Sequence, residues 1–441
     1  MTLSPVRPGS LWSHGVFGLG LLAGLCFLAG GAWDVAWHVD RGREGFWSPP
    51  HLLIYGGLCL GVAMPMVALL VGRATASRPE GELAGPTVRL LGARLSPAAL
   101  VGGLGALLAI GAGPFDEAWH QLFGLDVTIW SPPHLQLIAG AFATVLGVVI
   151  GLSGEINRAR SDGGTRLELP ELALTLGFAL MLNVALGTLG EFSFGVPRFP
   201  FYWHPILLPL VVLPILAAAS RADRPWGATR AAVAATMIGV ALRLLLVGVG
   251  RSATFVTLAL LPAAVALDLL MQLRRGGRPW LRPEIVGALA ALVLLYSQVE
   301  YLRAPSLVTW PLGRMPWVVA VALLLGAAAA GLGHRVGAAL RPDPDDPRQP
   351  APRRLRIPAG AAAAAAGVLI LLAALPGVAA ADNITRLTRG VGLLSSSPNA
   401  DLIQLAGTAF VLLTVLVTTL GSALALRAIE HDPDAPGGPR S

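Results

Sequence analysis

The chain alternates long apolar runs with short polar breaks. The runs cover approximately 15–37, 51–72, 97–115, 134–153, 170–189, 204–220, 229–249, 253–273, 283–302, 315–334, 357–380 and 402–427. A helix needs roughly 20 apolar residues to cross a bilayer, and most of these runs approach that length. In hydrocarbon every backbone group needs an internal partner, so such runs predict helices. The expectation is an all-α, polytopic transmembrane bundle of about 12 spans with repeated helical hairpins.

The polar breaks predict an orientation. Arginines concentrate in the breaks at 73–96, 154–169, 221–228, 274–282 and 335–356, while 116–133 contains none. By the positive-inside rule both termini are expected in the cytoplasm of a cell inner (plasma) membrane. The run after Arg7 is read as a retained helix and not as a cleaved signal, because it leads directly into a ligand motif. The expected organisation is a membrane domain at 1–220, further transmembrane helices at 221–340 and a cytoplasmic linker at 341–356. A C-terminal helix pair at 357–430 and a disordered tail at 431–441 complete it.

Composition agrees with the pattern. Hydrophobic residues make up 54%, charged residues 13%, and mean hydropathy is +0.68, whereas a soluble domain carries about a quarter charged residues. Every basic side chain apart from histidine is arginine, and the formal net charge is +7. No basic patch with interleaved aromatics accompanies it, so topology explains the charge and nucleic acid is not an expected partner. Cys26 and Cys59 both fall in apolar runs and read as packing residues, without a CxxC or disulfide framework.

Two breaks carry the same motif. Residues 33–52 read WDVAWHVDRGREGFWSPPHL, and residues 115–135 read FDEAWHQLFGLDVTIWSPPHL. They share D-x-A-W-H and W-S-P-P-H-L, with one extra residue between the halves in the second copy. Asp34 and His38 lie four apart, so on a helix they share one face, as do Asp116 and His120. Ser48 and Pro49 suit the start of the next helix, which puts His51 in its first turn; Ser131, Pro132 and His134 repeat the arrangement. Each hairpin is therefore expected to gather one carboxylate and two imidazoles near the outer membrane surface. That donor set suits copper, iron or zinc, with coordination positions left open. As single residues the bland readings are an interfacial histidine or an Asp–His pair holding a helix end; the duplication favours a site. Trp37, Trp47, Trp119 and Trp130 read as interfacial aromatics.

A third break is weaker. Glu191 precedes Phe201, Tyr202, Trp203 and His204, and Glu191 to His204 spans the same interval as His38 to His51. Glu191 and His204 read as a degenerate repeat, an additional metal site, or supporting partners of the first two. Within the apolar runs, Arg243, Asp268, Gln298, Glu300 and Asn183 stand out, because intramembrane polar groups are costly. Asp268 reads as snorkelling to an interface; His334 and His431 are expected to be cytoplasmic and inert.

The motif, with D-x-x-W-H followed by a proline-containing turn and a histidine opening the next helix, resembles the C subunit of the copper membrane monooxygenases, the particulate methane and ammonia monooxygenase family. The resemblance covers about 20 residues in each copy. It implies copper as the metal, held by Asp34, His38 and His51 and again by Asp116, His120 and His134. It also implies oxidation of a small apolar substrate with an electron donor and other membrane subunits. The family subunit carries the motif once and has fewer spans, and this chain shows no cupredoxin-like domain. A membrane transporter or metal-handling protein and a zinc-dependent membrane hydrolase use the same donors. No P-loop, GxSxG or HExxH motif is present.

Overall fold

The computed structural model describes residues 8–42, 47–74, 88–90, 93–123, 129–161, 168–196, 203–223, 225–253, 258–303 and 315–341. The chain runs through α1 (Pro8–Arg41), α2 (Pro49–Ala74), a short antiparallel hairpin of β1 (Val88–Leu90) and β2 (Ala93–Leu95), α3 (Pro97–Phe123) and α4 (Pro132–Ser161). It continues with α5 (Glu168–Leu186), one 3-10 turn, the four-residue α6 (Gly190–Ser193), α7 (Trp203–Ala222), α8 (Gly227–Gly248), α9 (Leu261–Arg275), α10 (Pro283–Arg303) and α11 (Met315–Leu340). The hairpin lies within a break read as loop from sequence.

Serine followed by proline starts three of these helices. Ser48, Ser96 and Ser131 each precede a proline at the first helical position, where a missing N–H costs nothing. The Ser48 hydroxyl accepts from the His51 amide at 3.4 Å, and the Ser96 hydroxyl from the Ala99 amide at 3.2 Å. These caps stop the polar breaks from fraying into the helices.

Eight helices among the described residues are long and apolar enough to cross a membrane: α1 to α5, α7, α8 and α11. That corrects the expectation of about 12 spans. The run at 253–273 becomes α9 only from Leu261, and 15 residues rise about 22 Å, short of a full crossing. Its missing part is the irregular segment 258–260, where Leu258 and Leu260 are buried. Gln298 of α10 both donates to and accepts from the Ala259 backbone, so the non-helical chain is satisfied by protein. The apolar part of α10, Pro283–Gln298, is also shorter than the eight. The expected spans at 357–380 and 402–427, the linker and the tail lie outside the described residues.

The main core lies among α4, α5 and α7 to α11, around Val145, Phe178, Leu213, Leu216, Ala264 and Leu294. Helix α7 is central, with 83% of its apolar window buried, against 28% for α1 and α8. The outer helices instead expose Leu107, Met237, Leu244 and Leu324, a surface that suits lipid. A smaller cluster of Phe27, Ile54, Leu58, Ala109, Ala141 and Val184 ties α1 to α5 together.

Several polar residues inside the bundle hold helices together. Asn183 donates to the Ala179 and Ala235 carbonyls, joining α5 to α8. Asp268 is buried, not snorkelling, and accepts from the amide and hydroxyl of Thr229 at 2.8 Å, capping the start of α8. Arg243 is exposed on α8. The end of α11 is closed by Arg221, which donates to the Arg341 carbonyl, and by Asn157, which donates to the Leu340 carbonyl.

Asp223, just after α7, is the hub of this end. It is 1% exposed and accepts from the Thr175 hydroxyl at 2.5 Å and from Arg230 at 2.6 Å. Burial pushes its carboxyl above the usual carboxylate range; the Thr175 bond and the Arg230 charge pull the other way and do not overcome it. Asp223→Ala is expected to destabilise the protein by about 3 kcal/mol, by stranding the buried ends of both partners. The fold holds the proton more tightly than the unfolded chain, so the Asp223 contribution favours the folded state at low pH and is lost as pH rises through the raised value. Thermal unfolding in detergent across that range checks both effects, with Asp223→Asn expected to remove the pH dependence.

Candidate metal centres

The two hairpins α1–α2 and α3–α4 build the same group twice. In the first, Asp34 Oδ2 stands 3.6 Å from His38 Nε2 and Oδ1 stands 3.1 Å from His51 Nε2. In the second, Asp116 Oδ2 stands 3.3 Å from His120 Nε2 and Oδ1 stands 3.4 Å from His134 Nε2. One carboxylate oxygen thus meets the imidazole four residues on, and the other meets the imidazole of the next helix, in the same order in both copies. Each triad offers three ligand atoms within 4.8 Å of one another.

Three of these four separations fit a shared cation, and the 3.6 Å between His38 and Asp34 is slightly wide of it. Donors about 2.1 Å from one ion, at tetrahedral or right-angle geometry, stand about 3.0–3.4 Å apart. Asp34 Oδ1 is buried and, although 3.1 Å from His51 Nε2, makes no hydrogen bond of acceptable direction. A cation between these atoms would balance the buried oxygen in a way the misdirected pair does not.

Close helix contact makes the geometry possible. A Cβ on Gly30, one turn before Asp34, would meet the Ile54 amide nitrogen at 2.9 Å and its side chain at 2.6 Å. On the second hairpin, a Cβ on Gly140 would meet the Ala109 amide nitrogen at 2.5 Å. The absence of side chains here lets each helix pair approach closely enough for a carboxylate to reach across.

The start of α4 has a further support. Glu191 is buried, and its Oε1 accepts from the Ile129 amide at 2.8 Å, while Trp130 Nε1 donates to the Thr188 carbonyl at 3.0 Å. Together they hold the turn that leads through Ser131 to His134. His204 is buried against Phe192, with ring centroids 5.1 Å apart. Neither Glu191 nor His204 belongs to a group of three donors among the described residues. The Glu300 side chain lies outside the described residues, as does His431.

The sequence reading missed Tyr55. It lies one turn beyond His51, with ring centroids 6.0 Å apart, and its phenol is within electrostatic range of Asp34, Asp116 and Glu117. Carboxylates of both hairpins thus act electrostatically on one side chain. The signal was an aromatic four residues after a ligand histidine, on the same helix face. The two sites open differently: His38 is 41% exposed and His120 11%.

No family model, curated protein or solved structure matches the chain. Its class rests on its own structure. Its described residues form a helical chain with eight helices able to cross a membrane and two Asp/His/His groups able to hold a metal ion.

Two substitutions separate the sites. Gly30→Leu is expected to wedge α1 from α2 and abolish metal binding at the first triad while sparing the second, read as metal per chain in purified protein. Glu191→Ala is expected to weaken metal affinity at the second triad by about 10- to 100-fold, by releasing the turn before α4, and to leave the first unchanged. Competitive titration against a chelator measures this loss.

Proposed function

We propose that this protein is an integral membrane copper protein, similar to the C subunit of the copper membrane monooxygenases, that oxidises a small apolar substrate reaching it from the lipid bilayer. The observation that carries the reading is the repetition of one carboxylate and two imidazoles at metal-compatible distances. A set of three protein donors leaves coordination positions for oxygen species or water, which suits chemistry better than a closed structural site. Copper is favoured over iron and zinc by the motif resemblance. The positive-inside rule, applied to the arginine-rich breaks of the sequence, favours an outward-facing site in a plasma membrane. Oxidation of the substrate by O₂ requires an outside electron donor, and the resemblance supplies partner membrane subunits as its route.

Metal analysis tests the reading. Purified wild type is expected to hold two copper ions per chain, falling to one in His51→Ala and one in His134→Ala, with Cu(II) electron paramagnetic resonance signals of nitrogen and oxygen ligation. Metal content unchanged in both variants removes the proposal. Copper binding with no oxidation of ammonia or hydrocarbon, given reductant, O₂ and native membranes, removes the oxygenase part alone.

A further inference from the structure

Packing gathers arginines where α7, α9 and α11 end and α10 begins. Arg275, the last residue of α9, donates to the Ser220 carbonyl of α7 at 3.2 Å. Glu284, in the first turn of α10, stands 3.6 Å from Arg282 and 3.8 Å from Arg335 of α11. His334, next to Arg335, lies within electrostatic range of Arg221, Arg274 and Arg275 as well. Some of these side chains close helix ends: Arg221 and Arg275 answer backbone carbonyls and need no ligand. Arg282 and Arg335 are different. Their side chains are 72% and 73% exposed, and both distances to Glu284 are too long for a hydrogen bond. Exposed ion pairs at that range contribute little, so one carboxylate does not discharge two guanidiniums. Arg278 is exposed beside them in sequence.

The turn at 276–282 is pinned. The Leu281 amide donates to the Arg278 carbonyl at 3.1 Å, and the Arg282 amide to the Trp280 carbonyl at 2.8 Å. Leu281 is buried in the main core, which leaves its neighbour Trp280 63% exposed. An indole so exposed suits the headgroup level of a bilayer. The helices that meet here continue it with exposed apolar side chains: Leu269 and Leu273 on α9, Ile285 and Leu289 on α10, and Leu332 and Val336 on α11. This surface passes from apolar side chains through tryptophan to guanidiniums, as a phospholipid passes from acyl chain through glycerol to headgroup. Setting topology needs only the arginine count; it needs neither a pinned turn nor an exposed indole between arginines.

We propose that the turn at 276–282, with Arg335 of α11, binds the headgroup of an anionic phospholipid, Trp280 lying at its glycerol level. Guanidinium N–H pairs match two phosphate oxygens. A headgroup without an ammonium is preferred, because choline would bring a second positive charge against Arg278, Arg282 and Arg335. The site is separate from the two triads and does not depend on a metal.

Two measurements on the full-length protein test this. In native mass spectrometry from detergent with equal phosphatidylglycerol and phosphatidylcholine, wild type is expected to retain the anionic lipid about fivefold more, the scale of one to two basic contacts. Arg278→Gln/Arg282→Gln/Arg335→Gln is expected to lose that preference, and Arg243→Gln, at an exposed arginine of α8, to keep it. These side chains are exposed, so the variants keep the fold. Equal retention of both lipids by wild type, an unchanged preference in the triple variant, or an equal loss in Arg243→Gln overturns the proposal. In nanodiscs, the difference between wild type and Trp280→Phe isolates the Trp280 fluorescence. Phosphatidylglycerol brominated near the top of its acyl chains is expected to quench it more strongly than phosphatidylcholine brominated at the same carbons. Quenching through the acyl chains reports a lipid and not a free phosphate. Equal quenching by the two lipids, or none, also overturns the proposal and leaves the arginines as topological charges or a face for an acidic protein.

Discussion

A carboxylate on one apolar helix held 3.1–3.4 Å from an imidazole on the next is the contact on which both centres depend. Such a contact is expensive to build in a membrane protein. Lipid gives helices no hydrophobic reason to associate, so they must pack by shape. Gly30 and Gly140 supply that shape by admitting the neighbouring backbone. The Ser-Pro starts then fix where each helix begins, which sets His51 and His134 at the right height. The donors gather because the hairpins have little freedom to hold them elsewhere.

The same logic explains why the sites sit at helix ends. A charged group at the bilayer centre costs more than one near the interface. Asp34 and Asp116 are only partly exposed, at 19% and 30%, yet they remain near the polar breaks. Other polar residues of the bundle do a different job. Asn183, Asp268 and Gln298 each answer a backbone group of another segment, and Gln298 replaces the helical bonds that segment 258–260 lacks. Their cost is met by satisfying backbone that would otherwise be stranded.

Much of this was legible in the chain. Apolar run lengths located the spanning helices, and the i, i+4 spacing with a Ser-Pro start placed all six donors together. The failures have physical causes. Run length did not reveal that α9 starts only at Leu261, because an irregular apolar segment and a helical one have the same composition; the distinction lies in a partner, Gln298, forty residues on. Asp268 looked like an interfacial residue because its Thr229 cap is equally remote in sequence. Glu191 was read by analogy with a ligand histidine, yet its bond to the Ile129 amide crosses sixty residues, and only the packed bundle could bring them together. Tyr55 carried a local signal, its spacing from His51, but the influence of Asp116 on it depends on how α2 meets α3.

The duplicated motif invites treatment as two copies of one site, and the surroundings argue against that. The first centre is clasped by a turn from another part of the chain, with Asp40 ordering Ser252 and Ala253 and with two guanidiniums on Trp37. The second is braced by Glu191 and Thr188, through the turn before α4. One is tied at the end of its first helix and the other at the start of its second. A strain passing through the bundle would therefore move different donors in each centre: Asp34 and His38 in one, His134 in the other. Identical ligands held by different anchors are free to diverge in affinity and access while the motif itself stays the same.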